Sequence, residues 1–465
     1  MQRRSLFGHT QIINLIFVIY WLLIFEGALR KWVAPQFEEV LFFIRVPLTL
    51  VLYAVVFAGR QWPKANGPLL SAYLLAAAGA GLACAQLVVG DYDFRYMLLA
   101  GYGWLNYFFY IPLAFIIADR FSRDDVGRLV RHTLWIAVAA APLVVAQYDK
   151  PAHAFINQGF GVNDEQLFYN LGSGYGMVRP FGFFSSTLGQ QMFVASVMAL
   201  VLALWLTPQK SRPVGGSLLL AGTLAGLVML ILSQSRGLFF NVGAMLLAAF
   251  VGGWVAGKQR ILFRVVFLSA TASCFGLVLW LFVFPEAFDA FSERVFGAWG
   301  VETYSFQFGI FGRAFYALYS FVDYLTDTPL IGHLLGLGGN AARQLSWVVL
   351  PQSAYHWMGP SGWGEEGWER HIIELGPLVG LVYIIFRLGL IVWLGRLVMR
   401  ATRRSNDPMP VVLFGYVGTA LLALQITGHG TVNGYTWMFF GFCLAAARLG
   451  CDHAGATPIH PRCVP

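Results

Sequence analysis

Along most of this chain apolar residues run together instead of alternating with polar ones. Runs long enough to cross about 30 Å of hydrocarbon fall at 10–26, 38–58, 67–89, 97–118, 132–148, 184–206, 214–232, 237–256, 261–284, 371–395, 410–427 and 431–449. Each reads as a membrane-spanning helix. The pattern predicts an all-α, polytopic integral membrane protein of about twelve transmembrane helices with a large, partly helical outer loop. Nine spans occupy 1–284, the loop 285–370, three further spans 371–450, and a tail 451–465. The N-terminal Met-Gln-Arg-Arg and its apolar run look like a signal peptide. They lack a small-residue cleavage site before Glu26, Arg30 and Lys31, so they read as a retained first span.

Composition agrees. Hydrophobic residues make up 58% of the chain and charged residues 12%, against about 25% charged in soluble domains. Mean hydropathy is +0.64. So few charges cannot cover a soluble fold of this size, which excludes a soluble enzyme, a disordered chain and a secreted disulfide scaffold. Cys84, Cys274 and Cys443 lie in apolar runs, Cys451 and Cys463 in the tail, and no C-x-x-C pair exists. Neither a zinc site nor a disulfide framework follows, and no cofactor is implied.

The net charge of +8 would suit nucleic acid, but the basic residues are distributed by membrane side. With the N-terminus cytoplasmic, inside segments hold Arg3, Arg4, Arg60, Lys64, Arg120, Arg123, Arg128, Arg131, Lys210, Arg212, Lys258, Arg260, Arg264, Arg396, Arg400, Arg403, Arg404, Arg448 and Arg462. These are 19 of the 31 Lys and Arg residues, as the positive-inside rule requires. No nucleic-acid partner is implied.

Two outer segments are long, 149–179 and 285–370. The second is dense in aromatics, among them Trp299, Trp347, Trp357, Trp363 and Trp368. They suit either a membrane-interface belt or stacking platforms for sugar rings, and loops this long usually have structure or function of their own. No internal repeat is evident, nor a Gly/Pro-broken pair of spans in matching halves.

The outer side also carries Arg30, Lys31, Arg45, Arg95, Arg179, Arg236, Arg313, Arg343 and Arg370. Arg45 and Arg236 sit in or against apolar runs, where an ionisable group tends to face a cavity or an ion partner. Guanidinium forks pair bidentately with phosphate oxygens, so an Arg-lined outer cavity would suit a membrane-bound diphosphate. Snorkelling anchors explain Arg30 or Lys31 equally well. Asp91-Tyr92-Asp93 looks like a metal-binding D-x-D but reads better as a solvated turn. Between Glu365 and Glu374 the chain is denser in charge: Glu365, Glu366, Glu369, Arg370, His371 and Glu374. On a helix Glu366, Arg370 and Glu374 share one stripe. This is either an ion-paired start to the tenth span or a set of groups for general-base work on a hydroxyl. No metal site follows.

Four stretches resemble the O-antigen polymerase and O-antigen ligase superfamily of bacterial membrane glycosyltransferases. Arg179-Pro180-Phe181-Gly182-Phe183-Phe184-Ser185 is similar to its Arg-x-x-Gly-Thr-Phe-Ser, with Phe183 in place of Thr. Ser233-Gln234-Ser235-Arg236-Gly237 resembles its Ser-x-Ser-Arg-Gly turn. Arg313, then Thr328-Pro329-Leu330-Ile331-Gly332 and Gly336-Leu337-Gly338, resemble its outer-loop segment. Glu374-Leu375-Gly376-Pro377-Leu378-Val379-Gly380 resembles its Glu-x-Gly-x-x-Gly. The likeness covers roughly 175–395. Ligases of the superfamily place His-Asn where this chain has Glu365 and Glu366. Glu26-Gly27-Ala28-Leu29-Arg30-Lys31-Trp32, with Arg45-Val46-Pro47 and a Glu-Glu-x-Trp-x-Arg pattern, is more similar to the superfamily's exopolysaccharide polymerases.

The resemblance implies glycosyl transfer at the periplasmic face of the bacterial inner membrane. The donor would be an undecaprenyl-diphosphate-linked oligosaccharide and the acceptor a second glycan, with membrane lipid around them and a chain-length regulator or flippase as companion. It implies no metal: arginines neutralise the diphosphate and a carboxylate or His deprotonates the acceptor. The expected diphosphate contacts are Arg236 and Arg313, then Arg179, with Arg45 and Arg370 nearby. The expected base is Glu366 or Glu369, then His371, with Glu365 beside them. A ligase, a lipid-linked glycan flippase or exporter, and an export-complex scaffold are the competing readings.

The sidedness is testable by single cysteines in a cysteine-free background. A cysteine at Ser405 should label from the cytoplasmic side and one at Ser346 from the outer side. Labelling of the latter from the cytoplasm alone would overturn the orientation.

Overall fold

The structure, a computed structural model, describes residues 8–90, 92, 94–158, 171–172, 177–305, 316, 318–336, 367–405 and 407–454. Asp91, Asp93, Arg313, Glu365 and Glu366 lie outside the described residues.

The chain is an all-α, multi-pass membrane protein. Its helices are α1 (His9–Ala28), α2 (Glu38–Phe42), α3 (Arg45–Ala58), α4 (Gly67–Val89), α5 (Tyr96–Trp104), α6 (Ile111–Arg120), α7 (Arg123–Asp149), α8 (Thr187–Leu206), α9 (Gly216–Leu232), α10 (Arg236–Val255), α11 (Gln259–Val278), α12 (Pro285–Ser305), α13 (Gly367–Arg404), α14 (Met409–Ala423) and α15 (Gly430–Ala454). A two-residue hairpin, β1 (Leu171–Gly172) with β2 (Met177–Val178), lies between α7 and α8. Among the described residues eight helices are long and apolar enough to cross a membrane, nine if the bent pair of 35–42 and 45–58 counts as one span. Helices occupy all twelve apolar runs, but α9 and α14 have only 17 and 15 residues.

Side chains exposed on the outer helices are those lipid would cover. On α11 and the π-helical turn after it, Phe263, Phe267 and Phe282 are among the most exposed large apolar groups. The centre is formed by α15, which packs along α6 and α14, while α10 packs on α14 and α9 on α7. Among the described residues, several of the arginines assigned inside tie neighbouring helix ends and loops together. Arg448 donates to the Asp119 and Phe121 carbonyls, Arg123 to the Leu449 carbonyl and Arg128 to Asn14 Oδ1. Arg131 donates to the Pro213 carbonyl and Arg264 to that of Leu206.

Several helices are interrupted. α5 passes into α6 through a π-helical turn at Leu105–Phe109, a local defect that frees backbone groups. Tyr53 satisfies two of them, donating to the Phe109 carbonyl at 2.6 Å and accepting from the Leu113 N–H at 3.1 Å. α14 stops at Ala423; at 1.5 Å per residue its length is about 22 Å, short of the hydrocarbon thickness.

The sharpest break is in α13. Gly376 has φ 76° and ψ 164°, so residues 367–375 form a short helix that folds back along 377–404. In one straight helix residues 371 and 387 would stand about 24 Å apart. Here Arg387 Nη1 lies 2.7 Å from His371 Nε2. The reversal needs glycine three times. A Cβ on Gly376 would meet the Leu330 carbonyl oxygen at 2.2 Å, one on Gly332 (φ 72°) the Glu374 oxygen at 2.5 Å, and one on Gly380 the His371 oxygen at 2.5 Å. For residues 367–374, the reading as an ion-paired start to a continuous span is replaced by a helix–break–helix turn at Gly376.

Gly376→Ala should lower the melting temperature clearly, because it adds backbone strain of about 1–3 kcal/mol to a clash with backbone. Gly389→Ala, in a helix and with no atom within 4 Å of the new Cβ, should be neutral or slightly stabilising. Equal melting temperatures for the two variants would refute the packing described.

Candidate functional site

Two buried polar clusters occupy the interrupted region, and the π-helical turn joins them. The first surrounds Glu26, at the end of α1. Arg45, the first residue of α3, places Nε 2.6 Å from Glu26 Oε2, while Arg30 Nη1 lies 3.3 Å from Oε1. Arg30 also reaches Glu38 Oε1 at 3.5 Å. Glu26, Arg30 and Arg45 are all buried. Arg45, expected as a diphosphate contact, is thus held by a carboxylate and by the Gly430 carbonyl. Lys31 donates to the Phe184 carbonyl at 2.6 Å, with its ammonium 3.7 Å from the Phe181 ring centroid. A Cβ on Gly27 would lie 2.4 Å from the Ser185 nitrogen. The Glu26–Trp32 and Arg179–Ser185 segments therefore touch, backbone to backbone. Ser186, the cap of α8, bonds His429 Nε2 at 2.9 Å.

The second cluster is built on the folded-back helix. His371 is completely buried. Its Nε2 meets Arg387, its Nδ1 lies 3.0 Å from the Tyr107 hydroxyl, and its ring stands edge-on to Tyr383 at 4.7 Å. Arg387 also donates to the Leu421 and Leu424 carbonyls where α14 ends, and its guanidinium carbon lies 5.1 Å from the Trp368 ring centroid. The Glu374 side chain stands within electrostatic reach of the Tyr107 hydroxyl. On the far side Gln86 forms a fork. Its Nε2 donates to the carbonyls of Ile331 (2.6 Å) and Glu374 (2.8 Å), and its Oε1 accepts from Tyr96 and the Leu335 N–H. The Pro329–Gly336 segment is thereby stitched to α4, α5 and α13. Within it His333 donates its N–H to the Ile373 carbonyl, and burial holds its imidazole below the ordinary range. Consecutive residues of the π-helical turn serve both clusters: Tyr107 faces His371, and the Asn106 carbonyl accepts from Asn433 of α15.

The residues expected from sequence fall as follows. Glu369, Arg370 and His371 lie together on the folded-back helix, all buried. Glu369 stands within electrostatic reach of Arg370 and Asp323. Arg370 Nε is buried without a hydrogen-bond partner. Arg179 and Arg236 are half-buried, one directly after β2, the other the first residue of α10. Ser233-Gln234-Ser235 forms the break before that helix: Gln234 has φ 50° and Ser235 Oγ accepts from the Leu238 N–H. Arg387, Tyr107 and Gln86 were not expected. The usable signal was one ionisable or amide side chain in an otherwise apolar run, as in Tyr-Ile-Ile-Phe-Arg-Leu-Gly-Leu. Among the described residues no group of His, Cys, Asp and Glu could hold a metal ion.

The fold and these clusters define a polytopic membrane protein with a buried, arginine-rich polar centre and a folded-back helix. A scan of protein-family models finds no match to the chain, and a search of curated proteins finds none either.

Glu26 balances two buried guanidinium groups, so Glu26→Gln should be strongly destabilising. Breaking a buried pair costs about 3–5 kcal/mol. Combining it with Arg45→Met should recover part of the loss, read as folded protein after heating in detergent. A double variant no better than Glu26→Gln would show that the two groups do not balance one another.

Proposed function

We propose that this protein is a glycosyltransferase of the outer face of the inner membrane that polymerises lipid-diphosphate-linked glycan repeat units of a bacterial surface polysaccharide or exopolysaccharide. In this reading the chain crosses the inner membrane twelve times, both termini are cytoplasmic, and 285–370 is periplasmic. The observation that carries it is the folded-back helix, which brings Glu369 and Arg370 beside a buried cationic centre. There a carboxylate could accept a proton from a sugar hydroxyl while arginine charge meets the departing diphosphate. Arg236 adds support. A cation on the first residue of a helix opposes the helix dipole, so its place there suits an anionic ligand better than helix stability. The contacts between Gly27 and Ser185, and between Gly332 and Gly376, also join in space the segments that carry the resemblance. Glu369 or Glu366 acts as base. His371, with both ring nitrogens engaged, supports the helix that carries Glu369. Arg236, Arg313 and Arg179 bind the diphosphate, with Arg370 near them.

A lipid-linked glycan flippase is the second reading. The observation that favours it is the pair of helix interruptions within the bundle, at Gly376 and at residues 424–429, because transporters build substrate sites from broken helices.

The test is purified protein in liposomes with an undecaprenyl-diphosphate oligosaccharide. Wild type should form longer glycan and release undecaprenyl diphosphate, with or without chelator. Arg236→Lys should lose turnover by about 100-fold at normal abundance, as should Glu369→Gln or Glu366→Gln. Movement of intact donor across the bilayer without bond formation would establish the flippase instead. Full turnover in both Gln variants, or activity lost to EDTA and restored by magnesium, would overturn the proposed chemistry.

A further inference from the structure

Three buried side chains in the second cluster, Arg387, His371 and Tyr107, form a line of hydrogen bonds with one direction, and the Glu374 carboxylate stands beyond its end. A guanidinium can only donate, so the 2.7 Å contact from Arg387 Nη1 makes His371 Nε2 an acceptor. The imidazole is then neutral and carries its proton on Nδ1, which donates to the Tyr107 oxygen at 3.0 Å. Having accepted there, the Tyr107 hydroxyl keeps its own proton to donate, and the Glu374 side chain stands within electrostatic reach of it. Glu374 Oε2 also faces the Gly336 N–H at 3.4 Å. Each member is at most 2% exposed. A cation stands at one end and a carboxylate at the other, with two neutral groups polarised between them, an arrangement in which each bond strengthens the next.

We propose that Arg387, His371 and Tyr107 are positioning residues. They form a relay that couples the Arg387 charge to Glu374 and locks the folded-back helix to α14 on one side and to the Pro329–Gly336 segment on the other. Resting on the transferase reading, the relay fixes where Glu369 and Arg370 stand relative to substrate. Its parts come from four places in the chain: the π-helical turn, the 367–375 helix, the following span, and the carbonyls closing α14. Both nitrogens of His371 are committed, so the ring is a strut and not a base. The charged and titratable groups around it are Arg387, Tyr107, Tyr383 and Arg370.

Two measurements on the full-length protein test the relay without relying on catalysis. In ¹⁵N-histidine NMR, the His371 signal, identified as the one shifted by Tyr107→Phe, should report a neutral Nδ1–H tautomer from about pH 5 to about pH 8. A signal that titrates in that window, or an Nε2–H tautomer, overturns the proposal even if no other variant folds. In a thermal double-mutant cycle, Arg387→Gln and Glu374→Gln should be non-additive in wild type and additive in a Tyr107→Phe background. Additivity in both backgrounds overturns the coupling. Turnover then tests the positioning clause: Tyr107→Phe should keep normal abundance and donor KM while kcat falls about tenfold or more. An unchanged kcat, or a loss of activity that follows abundance alone, overturns positioning. A wild-type protein that transfers no glycan defeats the functional reading and leaves the NMR and coupling results to decide the relay.

Discussion

A helix that stops among buried side chains leaves carbonyls with no water to accept. That constraint organises the centre of this protein. α14 stops after 15 residues, and the guanidinium of Arg387 supplies donors to the carbonyls at 421 and 424. Bringing Arg387 there introduces a buried charge, which in turn requires acceptors and a compensating anion. His371 meets the first requirement, and Glu374, within electrostatic reach of Tyr107, the second. The fold-back at Gly376 makes both possible by returning residues 367–375 to the face of the helix that bears Arg387.

The same requirement shapes the first cluster, where Glu26 answers Arg30 and Arg45. The clusters differ in how compensation is made. Around Glu26 opposite charges touch; around His371 neutral groups stand between them. Direct pairing makes a rigid joint between α1 and α3. The longer line depends on the orientation of each member, so a displacement of the folded-back helix would be felt at α14 and at α4.

The multi-pass, helical character was legible because lipid imposes one simple rule, an unbroken apolar run; helix falls within each such run, and eight or nine helices among the described residues are long enough to span. The spacing of Arg and Lys marked residues that share surroundings: among the described residues, several of the arginines assigned inside bind backbone carbonyls of neighbouring helices and loops. The charge density of Glu369–Arg370–His371 marked the right stretch of chain. Its conformation was not legible, since Gly376-Pro377 at the head of an apolar run reads equally as a helix start or a reversal. What decides is the Leu330 carbonyl pressing on Gly376, a contact 46 residues away in sequence. Arg387 escaped notice for a related reason. A single arginine within a span has no local signature of its partners, which lie on α14 and on the far arm of its own helix. Arg45 was noticed, but Glu26 as its counter-ion depends on how α1 and α3 cross.

The glycine contact between Gly332 and Gly376 also bears on biogenesis. Translation delivers α4 and α5 first, the Pro329–Gly336 segment next, and the helix break last. Gln86 and Tyr96 are in place before the segment they hold, but its other wall does not yet exist when it leaves the ribosome. The segment cannot take its final seat until residues 374–376 have emerged and folded back. Closure of the polar centre is therefore a late event of membrane insertion, and a chain arrested before α13 would contain most of its spans and no assembled site.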